Sequence, residues 1–200
     1  MMKTTLLTLS VVLLTGPAWS QDVAQVRSLF EAGRYQEVID TSAAPAAPPE
    51  AVYMAAQSYQ KIGNNEAAAA AYSRLAELPE GGSWRLIGLS GQSLIGNQND
   101  EARSFAQQAV DAAPSLPEAH YQLGLVLARV QNWAGAAEAF GRAAELNPGM
   151  AYAHYYSGLA YSRVNRADRM AIHFEQFLNL APGAPERPEV TQIMRTVRGR

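Results

Sequence analysis

The chain has 200 residues, 16 basic and 18 acidic side chains, a formal net charge of −2 and no cysteine. The charge balance argues against a nucleic-acid partner, and the lack of cysteine excludes disulfides and cysteine-based metal or redox sites. The length suits one ordinary domain.

Residues 1–20 have the pattern of a secretory signal peptide. A basic start at Lys3 precedes a mostly apolar stretch over residues 4–14, and a Gly-Pro pair at 16–17 ends any helix before small residues. The apolar stretch is shorter than the roughly 20 residues that a membrane span needs, and no later segment is apolar enough to cross a membrane. We therefore expect a periplasmic or secreted chain that begins at Gln21, without a lipid anchor because no cysteine follows. The alternative is a buried N-terminal helix.

Residues 21–48 predict a degenerate first helical hairpin and a linker. The apolar positions of residues 23–30 and 35–39 flank Gly33, which suits the turn between two short helices. The alanine- and proline-rich stretch over residues 43–49 predicts an irregular link to the next part of the chain.

The remainder repeats with a period of 34 residues. The segment HYQLGLVLARV over residues 120–130 returns as HYYSGLAYSRV over residues 154–164. The same spacing relates three further pairs: Gly124 and Gly158, Phe140 and Phe174, and Pro148 and Pro182. Self-similarity of this length is the signature of a stacked-repeat protein.

One unit predicts a helical hairpin. Over residues 117–130 apolar side chains recur at three- and four-residue steps, and a second amphipathic stretch spans residues 133–146. The sequence Asn-Pro-Gly over residues 147–149 ends the second helix. Small side chains at Gly124 and Ala136 allow the two helices to lie close. Such a hairpin cannot bury its apolar face alone, so we expect neighbouring hairpins to stack.

These residues resemble the tetratricopeptide repeat, whose 34-residue pattern is matched by His120, Leu123, Gly124, Leu127, Ala136, Phe140 and Pro148. The resemblance implies an all-α, right-handed superhelical solenoid of stacked helix-turn-helix repeats. It covers residues 49–182, and the four units are residues 49–82, 83–116, 117–150 and 151–184. Residues 185–200 predict a C-terminal capping helix, since arrays of this kind need a cover on the last repeat.

No catalytic or metal-binding motif is present. The segment GLSGQSLIG over residues 88–96 lacks the second glycine and the strand context of a serine-nucleophile elbow. His120 and His154 occupy equivalent places in two units and are expected to pack between helices rather than to bind a metal. His173 supports no prediction. We therefore expect no catalytic residue, no metal site and no cofactor.

Two rows of side chains are the candidate partner-binding residues. The resemblance implies that the first helix of each unit lines a concave groove, and Tyr53, Tyr121 and Tyr155 share one register, with Trp84 beside it. A second row lies eight residues further along the same helices, just over two turns away, so that both rows share a face. Its members are Lys61, Arg129 and Arg163.

This combination of rings and cations suits an extended peptide or a helix with apolar and acidic groups. Alternatively, the tyrosines pack between neighbouring first helices. The predicted function is a non-enzymatic adaptor of a Gram-negative cell envelope that binds another envelope protein in its groove. Two alternatives remain: a glycan-binding module that uses Tyr53, Trp84, Tyr121 and Tyr155 as stacking platforms, and a small enzyme. The sequence makes no prediction about the oligomeric state.

Overall fold

The structure is a computed structural model that describes residues 18–198, with side chains over residues 23–197. Within that range it contains eleven helices and no strand, which confirms the all-α prediction. The predicted signal segment lies outside the described residues up to residue 17, and the first helix begins at Ala18. No helix of the described part is long and apolar enough to span a membrane.

The helices follow one another as hairpins. The first hairpin is α1 (Ala18–Glu31) and α2 (Tyr35–Thr41), and the last helix is α11 (Arg187–Arg198). Between them lie four longer hairpins, each inside one predicted 34-residue unit. These are α3 (Pro49–Lys61) with α4 (Asn65–Ala76), α5 (Ser83–Ile95) with α6 (Asn99–Ala112), α7 (Pro117–Arg129) with α8 (Trp133–Leu146), and α9 (Ala151–Arg163) with α10 (Ala167–Leu180).

The hairpins stack in chain order. The first helices begin at residues 49, 83, 117 and 151, so their starts are separated by the 34-residue period of the sequence. Each helix from α2 to α10 packs against the next one along the chain. This is the architecture of a right-handed helical-repeat solenoid, and the fold class expected from the repeat is confirmed.

The turn inside each hairpin repeats in the backbone as well. Gly63, Asn97, Gln131 and Asn165 all have positive φ angles, of 79°, 59°, 60° and 58°, and they are spaced by 34 residues. Side-chain caps recur at the start of two second helices, because Asn64 and Asn132 accept backbone N–H groups three residues later. The left-handed residue ends one helix and the polar residue after it begins the next.

The core runs continuously through the stack. The Phe140 ring lies on Gly124 of its own hairpin and stacks on Tyr156 of the next one, with ring centroids 5.4 Å apart. The Phe174 ring lies on Gly158 in the equivalent way. Ala136 is fully buried at the helix contact. The aromatic ring therefore joins two hairpins, and the small residue makes room for it.

The end of the array is covered by α11, whose buried side chains Val190 and Met194 belong to the same core as the last hairpin. The loop before α11, residues 181–186, also reaches the turn of the first hairpin. The Cβ position of Gly183 lies 3.7 Å from Cβ of Ala32. The two ends of the chain's array therefore meet.

Candidate functional site

The first helices of the four longer hairpins line a shared groove of about 480 Å³. Its walls come from α3, α5, α7 and α9, with one residue each from the start of α4 and the turn before α6. The lining residues are Gln57, Gln60, Lys61, Asn65, Leu94, Ile95, Asn97, Tyr121, Leu125, Arg129 and Tyr156. The groove therefore combines apolar side chains, amides and two cations.

Lys61 and Arg129 bring positive charge to the groove. Both end the first helix of their hairpins, where a cation interacts favourably with the helix dipole. Arg129 is exposed, and its guanidinium donates a hydrogen bond to the side-chain oxygen of Asn97. No acidic side chain lines the groove among the described residues. The lining therefore favours a ligand with negative charge.

The Lys61 ammonium lies in a cluster of oxygens and rings. Its Nζ donates to Oε1 of Glu186 at 2.6 Å and lies 4.6 Å from the centroid of the Tyr152 ring. Burial alone would lower the pKa of Lys61, but Tyr156 and the Glu186 carboxylate reverse this and raise the pKa. Burial would raise the pKa of Glu186, but the bond to Lys61 and the Tyr152 hydroxyl lower it. Both groups are therefore charged at neutral pH.

The side chains of the predicted tyrosine row are buried rather than exposed to solvent. Tyr53 and Tyr121 are 1% and 2% exposed, and Tyr155 is 7% exposed. The Tyr121 ring packs edge-on against Phe140 and Tyr156, and Tyr121 contributes to the groove lining although it is nearly fully buried. Tyr53 and Tyr121 pack against Trp84 and Tyr156 on the next first helix, which was the alternative left open by the sequence. Tyr155 belongs to the last hairpin and packs against Phe174 and Phe177 of its own second helix.

Two other predicted residues lie away from the groove. Trp84 packs edge-on against Tyr53, with centroids 6.1 Å apart, and does not contribute to the lining. The Arg163 guanidinium lies over the Trp133 ring at 5.4 Å, a cation–π contact with the second helix of the preceding hairpin. Of the seven candidate residues, the structure brings Lys61, Tyr121 and Arg129 together in one groove.

A chain of buried hydrogen bonds links three hairpins beneath the groove. The Tyr53 hydroxyl donates to Gln122 at 2.9 Å, Gln122 donates to Ser90 at 3.0 Å, and Ser90 donates to the Ala102 carbonyl at 2.9 Å. Burial raises the pKa of Tyr53 well above its usual value, so this hydroxyl stays protonated as the donor. These bonds fix the positions of α3, α5 and α7 and thereby the width of the groove.

Gln57 differs from these satisfied groups. It is 7% exposed and lines the groove, and its side-chain Nε2 makes no hydrogen bond within 3.5 Å among the described residues, although Gln57 lies close enough to the Tyr53 hydroxyl to oppose the rise of its pKa. A buried amide donor without a partner is energetically costly, by about 1–3 kcal/mol. A ligand in the groove that offers an oxygen would satisfy this donor.

The histidines pack as structural groups. Nε2 of His120 donates to the Pro114 carbonyl at 2.8 Å, and Nε2 of His154 does the same to Pro148 at 3.2 Å. His173, for which the sequence supported no prediction, lies against His154 with the two Nδ1 atoms 3.2 Å apart. Within residues 18–198, no three histidine or acidic side chains converge as metal ligands would.

Four residues of this region were not among the candidate residues: Gln57, Tyr152, Tyr156 and Glu186. Of these, Tyr152 was expected to flank the same surface as Trp84. The segment Tyr-Ala-His-Tyr-Tyr over residues 152–156 is a signal for the rings, because its four ring-bearing residues cannot all face one side of a helix. Glu186 carries no comparable signal, since it lies in a loop outside the repeats. Its place depends on how the ends of the array meet.

Fold and groove together define the class: the protein is a helical-repeat solenoid with a concave face. Two of its segments, residues 117–150 and residues 50–80, match models of the tetratricopeptide repeat. The chain therefore contains tetratricopeptide repeats in these two segments. This fold generally serves protein–protein interaction rather than catalysis. A search among curated proteins finds no significant match.

Solved structures share the fold at low identity. TTC0263, a thermophilic TPR protein of Thermus thermophilus, is 18% identical with a TM-score of 0.62, over 92% of this chain and 100% of that one. The first TPR of Spaghetti (RPAP3), bound to the HSP90 peptide SRMEEVD, is 20% identical with a TM-score of 0.52, over 58% and 93%. MamA is 23% identical with a TM-score of 0.50, over 73% and 84%. At these identities the likeness shows the fold alone.

Proposed function

We propose that the protein is a non-enzymatic adaptor whose groove binds a segment of another protein that carries both apolar and acidic side chains. The observation that carries this proposal is the groove lining, which sets Lys61 and Arg129 beside Leu125 and Tyr156 with no acidic residue in the lining itself. Lys61 is paired with Glu186 from outside the lining, whereas Arg129 bonds to the neutral Asn97 side chain. The Nε2 donor of Gln57, which makes no hydrogen bond within 3.5 Å among the described residues, adds a polar anchor that an extended backbone can satisfy. The solved complex of a TPR domain with a peptide, described above, shows that this fold can hold one.

The proposed place of action is the cell envelope. Support comes from the sequence of residues 1–20, with its basic start, apolar stretch and small residues before Gln21. Fractionation of the producing cells, with N-terminal sequencing of the recovered protein, tests this part. A periplasmic or secreted chain that begins near residue 21 supports it, and a cytoplasmic chain that retains residues 1–20 contradicts it.

A glycan ligand fits the groove less well. Stacking on sugars needs exposed ring faces, but Tyr53 and Tyr121 are nearly fully covered, and Trp84 does not line the groove. A segment of protein with carboxylates uses the cations and the amide donor that the groove does offer.

Exchange of one charge in the groove tests the proposed function. Arg129→Glu should weaken binding of an acidic partner by about tenfold or more, because it replaces an attractive charge contact by a repulsive one. The variant Arg163→Glu makes the same charge change on the equivalent residue, which lies over Trp133 outside the groove lining.

The measurement is pull-down from an envelope extract with wild type, Arg129→Glu and Arg163→Glu as baits, followed by titration of the captured protein against each. We expect Arg163→Glu to bind like wild type and Arg129→Glu to lose most of the affinity. Equal affinity for all three baits would place the binding site elsewhere on the molecule.

A further inference from the structure

The two ends of the repeat array touch across a large separation in sequence. The turn after α1 packs on the loop before α11. An ideal Cβ added to Gly33 would lie only 2.6 Å from Cγ of Pro185, and one added to Gly183 would lie 3.7 Å from Cβ of Ala32. Gly33 also has a φ angle of +74°. A side chain at residue 33 would therefore be both strained and in collision with the loop. The solenoid closes on itself at this contact.

The side chain of Glu186 extends from this loop to the groove. Its Oε1 accepts a hydrogen bond from Lys61 at 2.6 Å, and its Oε2 accepts one from the Tyr152 hydroxyl at 2.8 Å. The Tyr152 oxygen in turn lies 3.0 Å from the hydroxyl of Tyr35 in α2. A cation and a phenol thus hold one carboxylate, and a second hydroxyl, that of Tyr35, orients the phenol. This is a complete carboxylate-binding site, and the chain's own glutamate occupies it.

The contact is built to open. The side chains of Lys61 and Glu186 remain 22% and 16% exposed, so water can compete for the pair. Glu186 lies in a loop in which Ala181 and Ala184 are buried, whereas Pro182, Gly183 and Pro185 are exposed. The side chains that this loop would withdraw from the array are two buried alanines, two exposed prolines and Glu186. The stacked hairpins, by contrast, bury whole rings such as Phe140 and Phe174 and stay folded.

We propose that Glu186 is an internal ligand that holds the array closed, and that an acidic side chain of a partner segment displaces it from Lys61. The proposal rests on the proposed function, because it concerns the same groove and the same class of partner. Lys61 belongs both to the Glu186 contact and to the groove lining, and the groove continues from it to Arg129. A segment with two acidic side chains engages both cations once Glu186 has left. The apparent affinity for the partner is then the intrinsic affinity of the open state multiplied by the fraction of molecules that are open.

The absence of cysteine from the chain permits a clean test. The Cβ positions of residues 32 and 183 are 3.7 Å apart, within the range that a disulfide bridges, so Ala32→Cys with Gly183→Cys locks the closed state on oxidation. The complementary variant Glu186→Gln removes the internal charge. Glu189→Gln is the matched control, because it removes the same charge from an exposed position three residues later.

The probe is a fluorescein-labelled hexapeptide of alternating glutamate and leucine, and its counterpart with glutamine in place of glutamate reports non-specific binding. Fluorescence anisotropy should show Glu186→Gln binding the acidic probe at least about fivefold more tightly than wild type or Glu189→Gln. The oxidised double-cysteine variant should bind at least about tenfold more weakly than the same sample after reduction, which also controls for folding. Equal binding by the oxidised and reduced samples, or by Glu186→Gln and wild type, overturns the internal-ligand proposal and leaves the proposed function intact.

A measurement without any ligand separates the two proposals further. Hydrogen exchange of the backbone amides of residues 28–34 should be faster in Glu186→Gln than in wild type and Glu189→Gln, because the turn of the first hairpin loses its contact. Unchanged exchange overturns the internal-ligand proposal. If no variant binds the acidic probe, the proposed acidic partner is refuted, and the closure by Glu186 is judged by the exchange rates alone.

Discussion

At the scale of single residues, pairs of one glycine and one aromatic ring hold the hairpins together. An ideal Cβ on Gly124 would lie 2.6 Å from the Phe140 ring, and one on Gly158 would lie 2.5 Å from the Phe174 ring. Both distances are far below van der Waals contact. The ring occupies the volume that any side chain would need, so the small residue follows from packing and not from backbone conformation.

The substitution Gly124→Ala should therefore lower the free energy of unfolding by about 1–3 kcal/mol, because the Phe140 ring must leave its position. Gly141→Ala is the matched control in α8, where the nearest atom to the added Cβ is Ser157 Oγ at 3.9 Å. That variant should gain stability by about 0.5–1 kcal/mol, because alanine has the higher helix propensity. Urea unfolding followed by circular dichroism measures both, and a neutral Gly124→Ala would contradict the packing described above.

The His154–His173 pair makes the free energy of unfolding depend on pH. Burial lowers the pKa of His173 to about 4, with further lowering by the charges of His154 and Arg169 and a smaller opposing effect of Glu145. Burial also lowers the pKa of His154. The folded state binds fewer protons than the unfolded state between the usual histidine pKa near 6.5 and about 4. Stability from these groups is thus complete above that window and is lost as the pH falls through it.

We expect the melting temperature to fall as the pH is lowered from 7 to 4, and His173→Gln to reduce this dependence because it removes the neighbouring titrating ring. His120→Gln, at the position equivalent to His154 in the preceding hairpin, should keep the acid dependence of wild type. Thermal unfolding in a series of buffers provides the comparison. Parallel curves for wild type and His173→Gln would show that the pair does not govern the acid response.

At the scale of helices and turns, much of the architecture could be predicted. The apolar spacing over residues 117–130 and the Asn-Pro-Gly stop after residue 146 locate α7 and α8, since helix periodicity and helix ends are local properties. The left-handed turn residues were not predicted. Only Gly63 among the four is a glycine, and Gln131 is not a residue type that signals a positive φ angle.

The turn at Gln131 stores strain that a glycine would release. A residue other than glycine in the left-handed region costs roughly 1–2 kcal/mol, and the greater flexibility of the unfolded chain offsets part of the gain from glycine. Gln131→Gly should therefore raise the free energy of unfolding by about 0.5–1 kcal/mol.

The control for this turn is Glu138→Gly, an exposed position within α8, which should lose about 1 kcal/mol because glycine is a poor helix former. Chemical denaturation of both variants provides the measurement. A loss of stability in Gln131→Gly would mean that its side chain contributes more than its backbone conformation costs.

At the scale of the whole molecule, the site depends on how tightly the array curls. The sequence period places Tyr53, Tyr121 and Tyr155 in one register, but it does not state how far the first helices lie from one another. That distance depends on how the small rotations between neighbouring repeats add up along the array, and no single unit encodes this sum. The array curls tightly enough for Lys61 of α3 to reach the Tyr152 ring of α9. The tyrosine row is therefore part of the hydrophobic core, and the cations Lys61 and Arg129 line the groove.

The central claim is that partners enter this groove, and site-specific photocrosslinking tests it most directly. A photoreactive phenylalanine analogue at Leu125, which lines the groove, is compared with one at Ile172, which is 55% exposed on α10 and lies outside the groove lining. In the cells that produce the chain, ultraviolet light should join a partner protein to the label at residue 125, and Arg129→Glu should abolish the adduct. The label at residue 172 should give no such adduct. An adduct at residue 172 but not at residue 125 would show that partners bind another face of the molecule.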